Sequence, residues 1–160
     1  MAGAGMGASR VARIAVVDDD TSVRTAISRF LKIADFKVDI YARSIDFLES
    51  LERERPDFLI LDLHMPTLTG IDVMKYLRAS NINFAIVIVS ADDEPVMRET
   101  CSNLGAAGFL RKPLDGNLLL GVIEALRSRP ANGRAGSGPL GISMAGRTND
   151  QIARRSNGAS

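Results

Sequence analysis

The 160-residue chain has one cysteine, Cys101, one histidine, His64, and no long apolar run. A single thiol cannot close an internal bridge, so a disulfide framework is excluded and a reducing, cytoplasmic compartment is expected. A lone histidine makes a poor soft-metal site. No stretch approaches the roughly 18 consecutive apolar residues of a membrane span. The opening Met1 to Ser9 lacks a basic region followed by an apolar segment, so no signal peptide is expected there. No Gly-Lys-Ser/Thr phosphate loop occurs. The glycine-rich run Gly3 to Ser9 precedes the first strand candidate instead of following one, which excludes a dinucleotide fingerprint and leaves a flexible start over 1–9.

What remains is ordinary globular material, 46% hydrophobic and 24% charged, enough for one core and a tail. The net charge of +1 conceals an asymmetry. Residues 129–160 carry five arginines (Arg129, Arg134, Arg147, Arg154, Arg155) against one acid, Asp150, which leaves the preceding part net negative. This tail is rich in glycine and poor in apolar residues, and is expected to be mostly disordered.

Between them, residues 11 to 128 alternate apolar runs with helical patterns five times. Val11 to Val17, Lys37 to Tyr41, Phe58 to Leu61, Ala85 to Val89 and Gly108 to Leu110 are the strand candidates. Helices are expected over Thr21 to Ala34, Ser44 to Arg53, Ile71 to Ala79, Asp93 to Leu104 and Asp115 to Arg127, with Pro95 tolerated in a first turn. Strands apolar on both sides need helices on both faces. The expectation is an α/β fold, a five-stranded doubly wound parallel sheet whose functional groups lie beyond the carboxyl ends of the strands.

Those ends carry a complementary set of groups. Asp18, Asp19 and Asp20 follow the first strand, Asp62 the third, Ser90 the fourth and Lys112 the fifth, up to 94 residues apart in sequence. Each alone has an ordinary explanation, as a helix cap, a turn former or a surface lysine. Asp20 or Thr21 is expected to cap the first helix. Together they describe a chemistry. Converging carboxylates repel unless they share a cation, and a hard divalent ion such as Mg²⁺ suits oxygen ligands. Asp62 is then a nucleophile toward phosphorus, with Lys112 and the Ser90 hydroxyl meeting phosphoryl oxygens. His64 is expected to offer its backbone carbonyl, and Cys101 to be core filler near Met97 and Leu104.

The combination Val16-Val17-Asp18-Asp19-Asp20, Leu61-Asp62-Leu63-His64-Met65-Pro66 with Gly70, Val89-Ser90-Ala91, Gly105-Ala106 and Phe109-Leu110-Arg111-Lys112-Pro113 resembles the receiver domain of two-component response regulators. The resemblance spans residues 10–128, and the stretch from Gly105 to Pro113 with the triple aspartate is similar to the nitrogen-fixation regulator subgroup. It implies a flavodoxin-like fold with strand order 2-1-3-4-5 and phosphorylation of Asp62 by a sensor histidine kinase or phosphotransfer protein. It further implies Mg²⁺ held by Asp18, Asp19, Asp62 and the His64 carbonyl, with Ser90 and Lys112 contacting the phosphate. Phe109 matches the aromatic that moves inward when the hydroxyl is drawn to the phosphate. His64 and Asp92 match positions that tune phosphoryl lifetime.

Members of that subgroup carry a helix-turn-helix output domain, whereas only residues 129–160 follow the receiver here. The resemblance therefore implies a stand-alone phosphoacceptor rather than a turnover enzyme, one that signals through a downstream protein or a phosphorylation-dependent homodimer. A DNA-binding regulator with a curtailed output is the alternative. Its signs are Arg147, Arg154 and Arg155 and a faint likeness of residues 146–155 to a helix of such a module. An aspartate-nucleophile hydrolase is disfavoured, because His64 stands where those enzymes place a second aspartate.

Overall fold

The computed structural model describes residues 10–129. The expectations about residues 1–9 and about the tail, including Arg134, Arg147, Arg154 and Arg155, lie outside the described residues. Strands form where branched apolar residues can face both ways: β1 (Arg13–Val17), β2 (Lys37–Tyr41), β3 (Phe58–Asp62), β4 (Ala85–Ser90) and β5 (Gly108–Arg111). Helices α1 (Thr21–Ile33), α2 (Ser44–Ser50), α3 (Gly70–Ala79), α4 (Pro95–Asn103) and α5 (Gly116–Arg127) fill the crossovers. The strands are parallel in the order β2-β1-β3-β4-β5, a doubly wound flavodoxin-like sheet.

The pleat divides each strand between two apolar layers. Ile14, Val16, Phe58, Ile60, Val87 and Val89 face α1 and α5, where Ile27, Leu31, Leu119 and Ile123 complete one core. Their sequence neighbours Ala15, Val17, Leu59, Leu61, Ile86 and Ile88 face the other way, onto Phe47, Val73, Met74, Leu77 and Cys101. Each such side chain taken out of water stabilises the fold by about 1.5–3 kcal/mol. Phe47, fully buried, stacks edge-on against Tyr41 at 5.6 Å and Phe84 at 6.4 Å, pinning the short α2 to the sheet.

Helix starts follow local chemistry. Asp20 caps α1 by accepting from the Ser22 and Val23 amides, and Asp115 caps α5 in the same way. Thr69 and Asp72 form a reciprocal capping box at α3. Pro95 opens α4, where a missing amide proton is harmless. Gly105, at φ +100°, leaves α4 through the left-handed region that glycine enters without a Cβ penalty.

Several boundaries depart from the sequence reading. The stretch expected to continue helically to Arg53 leaves α2 after Ser50, where Leu51 and Arg53 donate to carbonyls three residues back and tighten the chain. Val11 and Ala12 precede β1 instead of belonging to it. Asp62 and Ser90, expected just after their strands, are the last residues of β3 and β4. The ladder therefore holds both residues: Asp62 registers with Val89, and Ser90 with Arg111.

Candidate phosphoryl-transfer site

The carboxyl ends of β1, β3 and β5 bring three charged groups to one point. Asp18, first beyond β1, is anchored by its amide donating to the Tyr41 carbonyl at 3.2 Å. Its Oδ1 accepts from the Asp20 amide at 2.9 Å, and its carbonyl accepts from Arg24 of α1 at 2.7 Å. Asp62, ending the wholly buried central strand, accepts from the His64 amide at 3.4 Å. Lys112, following β5, is fixed by its amide donating to the Ser90 carbonyl at 2.9 Å, and the Lys112–Pro113 peptide bond is cis.

From there the Lys112 ammonium stands 2.8 Å from Asp18 Oδ2 and 3.5 Å from Asp62 Oδ1. Both carboxylates are nearly inaccessible, at 2% and 4% exposure, whereas Asp19 faces solvent. Carboxylate oxygens of Asp18, Asp19 and Asp62 all lie within 4.8 Å of one another. Three hard anionic oxygens this close, two of them buried, suit a divalent cation such as Mg²⁺.

Burial and the neighbouring Asp18 charge push the Asp62 carboxyl above the ordinary range, against the pull of Lys112 and the His64 amide. For Lys112, burial opposes the charged form. The hydrogen bond to Asp18 and the charges of Asp62 and Asp18 outweigh it, so the ammonium is held above its usual range. One lysine therefore offsets only part of two buried negative charges.

The remaining residues singled out by sequence take different places. Ser90 is fully buried, and its Oγ accepts from the Asp92 amide at 3.1 Å. The His64 ring is largely exposed and approaches the Asp92 carboxylate at 3.8 Å across the rim of the site. Asp20 turns away as the helix cap. Phe109 sits on β5 beneath α4, in register with Ile88, its ring 4.8 Å under the Arg98 guanidinium. Cys101 is buried in the α4 face, where desolvation pushes its thiol up to about 11.

Sequence reasoning did not find two contributors. Arg24, which holds the Asp18 carbonyl, looks like any solvent arginine on a helix. Arg98 is equally ordinary until the fold sets it over Phe109. Gly70, named from the motif alone, gains its physical reason here: a Cβ there would stand 2.5 Å from the Asp62 carbonyl oxygen. Beside Lys112, an apolar groove of about 430 Å³ runs between α1 and the β5–α5 loop, lined by Val23, Ala26, Phe30, Pro113, Leu114 and Leu119.

Comparison with known proteins bears on this arrangement. Residues 14–124 match the family profile of the response regulator receiver domain. Response regulator MprA of Mycobacterium leprae is 36% identical over 117 residues, covering 73% of this chain and 51% of that protein. MprA of Mycobacterium ulcerans is 35% identical over the same length. The chain thus spans about half the length of the curated relatives it matches. Among solved structures, Vibrio cholerae chemotaxis protein CheY4 superposes with a TM-score of 0.69 at 27% identity, covering 72% of this chain and 98% of that one. A structure described as FixJ-N superposes at 0.67 and 25%, covering 75% and 97%.

Proposed function

The chain belongs to the response regulator receiver family, and we propose that it accepts a phosphoryl group on Asp62 from a sensor histidine kinase or phosphotransfer protein. The observation that carries this reading is the Lys112 ammonium set between the buried Asp18 and Asp62 carboxylates, with Asp19 completing the acidic group.

In this reading an Asp62 oxygen attacks phosphorus in line with the phosphorus–nitrogen bond of a phosphohistidine. That bond breaks, its electron pair stays on the imidazole nitrogen, and Asp62 becomes an acyl phosphate. Asp18, Asp19, Asp62 and the His64 carbonyl would hold Mg²⁺, which would supply positive charge to the phosphoryl oxygens. Lys112 exchanges its contact with Asp62 for a phosphoryl oxygen, and the Ser90 hydroxyl gives up the Asp92 amide to donate to another. Return to the free carboxylate needs one water at phosphorus and yields inorganic phosphate and a proton. His64 and Asp92, facing each other across the rim, govern access of that water. The apolar groove beside Lys112 offers the donor protein a surface next to the nucleophile.

The output is a shift between two populated arrangements of Ser90, Phe109 and the surface formed by α4, β5 and α5. A downstream protein or a second copy of the chain reads that surface in the cytoplasm. Among the described residues no helix is long and apolar enough to cross a membrane.

Incubation with a phosphorylated histidine donor and Mg²⁺ tests the proposal. Intact-mass analysis is expected to show one acid-labile phosphoryl group, absent without Mg²⁺ and absent in Asp62→Ala. Undiminished labelling of Asp62→Ala would move the site elsewhere.

A further inference from the structure

The β4–α4 loop, which follows Ser90, is tied to the Phe109 ring through a chain of contacts that starts at the Ser90 hydroxyl. The Asp92 amide donates to Ser90 Oγ at 3.1 Å, and Asp92 Oδ1 accepts from the Glu94 amide at 3.1 Å. The next carboxylate, Asp93, accepts from Nε of Arg98, and this pair is only 21% and 26% exposed. Arg98 stands in the first turn of α4, its amide bonded to the Glu94 carbonyl at 3.1 Å. Its guanidinium carbon lies 4.8 Å from the centre of the Phe109 ring. A loop carboxylate, a helix cation and a strand aromatic therefore stack in series.

We propose that Arg98 is a positioning residue, a latch that holds Phe109 in the place seen here and makes its movement conditional on the β4–α4 loop. A cation over a ring face is attracted by the ring quadrupole, more strongly where water is partly excluded. Asp93 holds the guanidinium through its Nε, so that the cation stays over the ring. Drawing the Ser90 hydroxyl to a phosphoryl oxygen requires it to leave the Asp92 amide, which shifts the loop that carries Asp93. Asp93 takes Arg98 with it, and Phe109 loses its cover and turns. The coupling of loop to ring rests on the phosphoacceptor reading; the hold of Arg98 on the ring does not.

The test compares wild type, Arg98→Ala, Arg98→Lys and Asp93→Asn, with a single fluorine label on the Phe109 ring read by NMR. Without ligand, Arg98→Ala is expected to populate a second ring environment, Asp93→Asn to do so more weakly, and Arg98→Lys to restore part of the wild-type signal. With Mg²⁺ and beryllofluoride, a phosphoryl analogue, Arg98→Ala is expected to bind about fivefold more tightly, because less free energy is spent displacing the ring. A merely structural arginine would weaken binding or leave it unchanged. If Arg98→Ala does not fold, Asp93→Asn, altered only in the loop, carries the comparison. A ring signal identical to wild type in the folded variants overturns the latch. A shifted ring signal in a protein that takes no beryllofluoride keeps the latch and sinks the phosphoacceptor reading instead.

Discussion

Gly70 packs so closely on Asp62 that a Cβ added to it would stand 2.5 Å from the Asp62 carbonyl oxygen and 2.9 Å from the Leu63 Cα. The obstacle is backbone, which cannot swing aside as a side chain can. The Gly70 amide also donates to the Leu63 carbonyl at 3.0 Å, so the start of α3 is drawn against the end of β3. Gly70→Ala is expected to cost about 1–3 kcal/mol, the usual range for forcing an atom into a filled space. Because the displaced backbone carries Asp62, the proposed phosphoacceptor, phosphoryl uptake is expected to slow as well. Urea unfolding and a phosphotransfer time course check the two effects separately.

Asp62 carries a cost in the metal-free protein. Its carboxyl is raised above the ordinary 3.8 by burial and by Asp18. The folded state then holds the proton more tightly than the unfolded state. The stabilising contribution is full below 3.8 and is lost as pH rises through the folded value. Asp62→Asn removes the charge and keeps the shape. In chelator, the variant is expected to be more stable than wild type at about pH 7, and the gap to close at about pH 4. An equal gap at both pH values would contradict this account.

Lys112 is the only cation recorded in contact with both Asp18 and Asp62 among the described residues. Lys112→Met preserves the stem and removes the charge. In the absence of metal this is expected to destabilise the fold by roughly 1–3 kcal/mol, below the ~3–5 kcal/mol of a fully buried broken pair, because the lysine keeps some contact with water. The unneutralised carboxylates should then bind Mg²⁺ more tightly than in wild type. Thermal midpoints followed through a Mg²⁺ titration, with and without the substitution, measure both effects.

Cys101 is 1% exposed, and burial moves its thiol to about 11 from an ordinary 9.0. A thiol-specific reagent at about pH 8 is expected to label it only as fast as the protein opens, because the thiolate is the reactive form and it is scarce here. Raising the folded value also means that the thiol favours the folded state up to about 9, and that this contribution is lost as pH climbs towards 11. Immediate labelling of the native protein would contradict the burial. Cys101→Ser, which leaves a hydroxyl in an apolar layer, is expected to cost about 1–3 kcal/mol.

Much of this molecule is legible in its sequence, and the reason is local. Val16, Ile60 and Val87 are branched apolar residues in short runs, and such runs with helical stripes between them have few arrangements other than a two-faced parallel sheet. Asp20 caps α1 by contacts within three residues, as its place before the helical pattern leads one to expect, whereas Asp115, read as the first helical residue, is the cap of α5. The polar residues at the strand ends follow from the same alternation, because a doubly wound sheet gathers those ends at one edge.

Distance and direction were decided elsewhere. Asp18 and Lys112 are far apart along the chain, and only the registers β1–β3, β3–β4 and β4–β5 bring the ammonium to 2.8 Å from the carboxylate. The upward shift of Asp62 arises from burial and a neighbouring charge, neither of which exists in an extended chain. The roles of Arg24 and Arg98, and the physical reason for Gly70, became visible only in the tertiary structure. Arg98 meets Phe109 where α4 packs over β5, whereas Arg24 and Gly70 act across a single strand–helix connection. The sequence by itself determined which groups exist and at which edge they gather, since composition and period are properties of the chain. Tertiary packing decided which of them touch and which carry unbalanced charge, since those depend on distances of a few ångströms between separately folded elements.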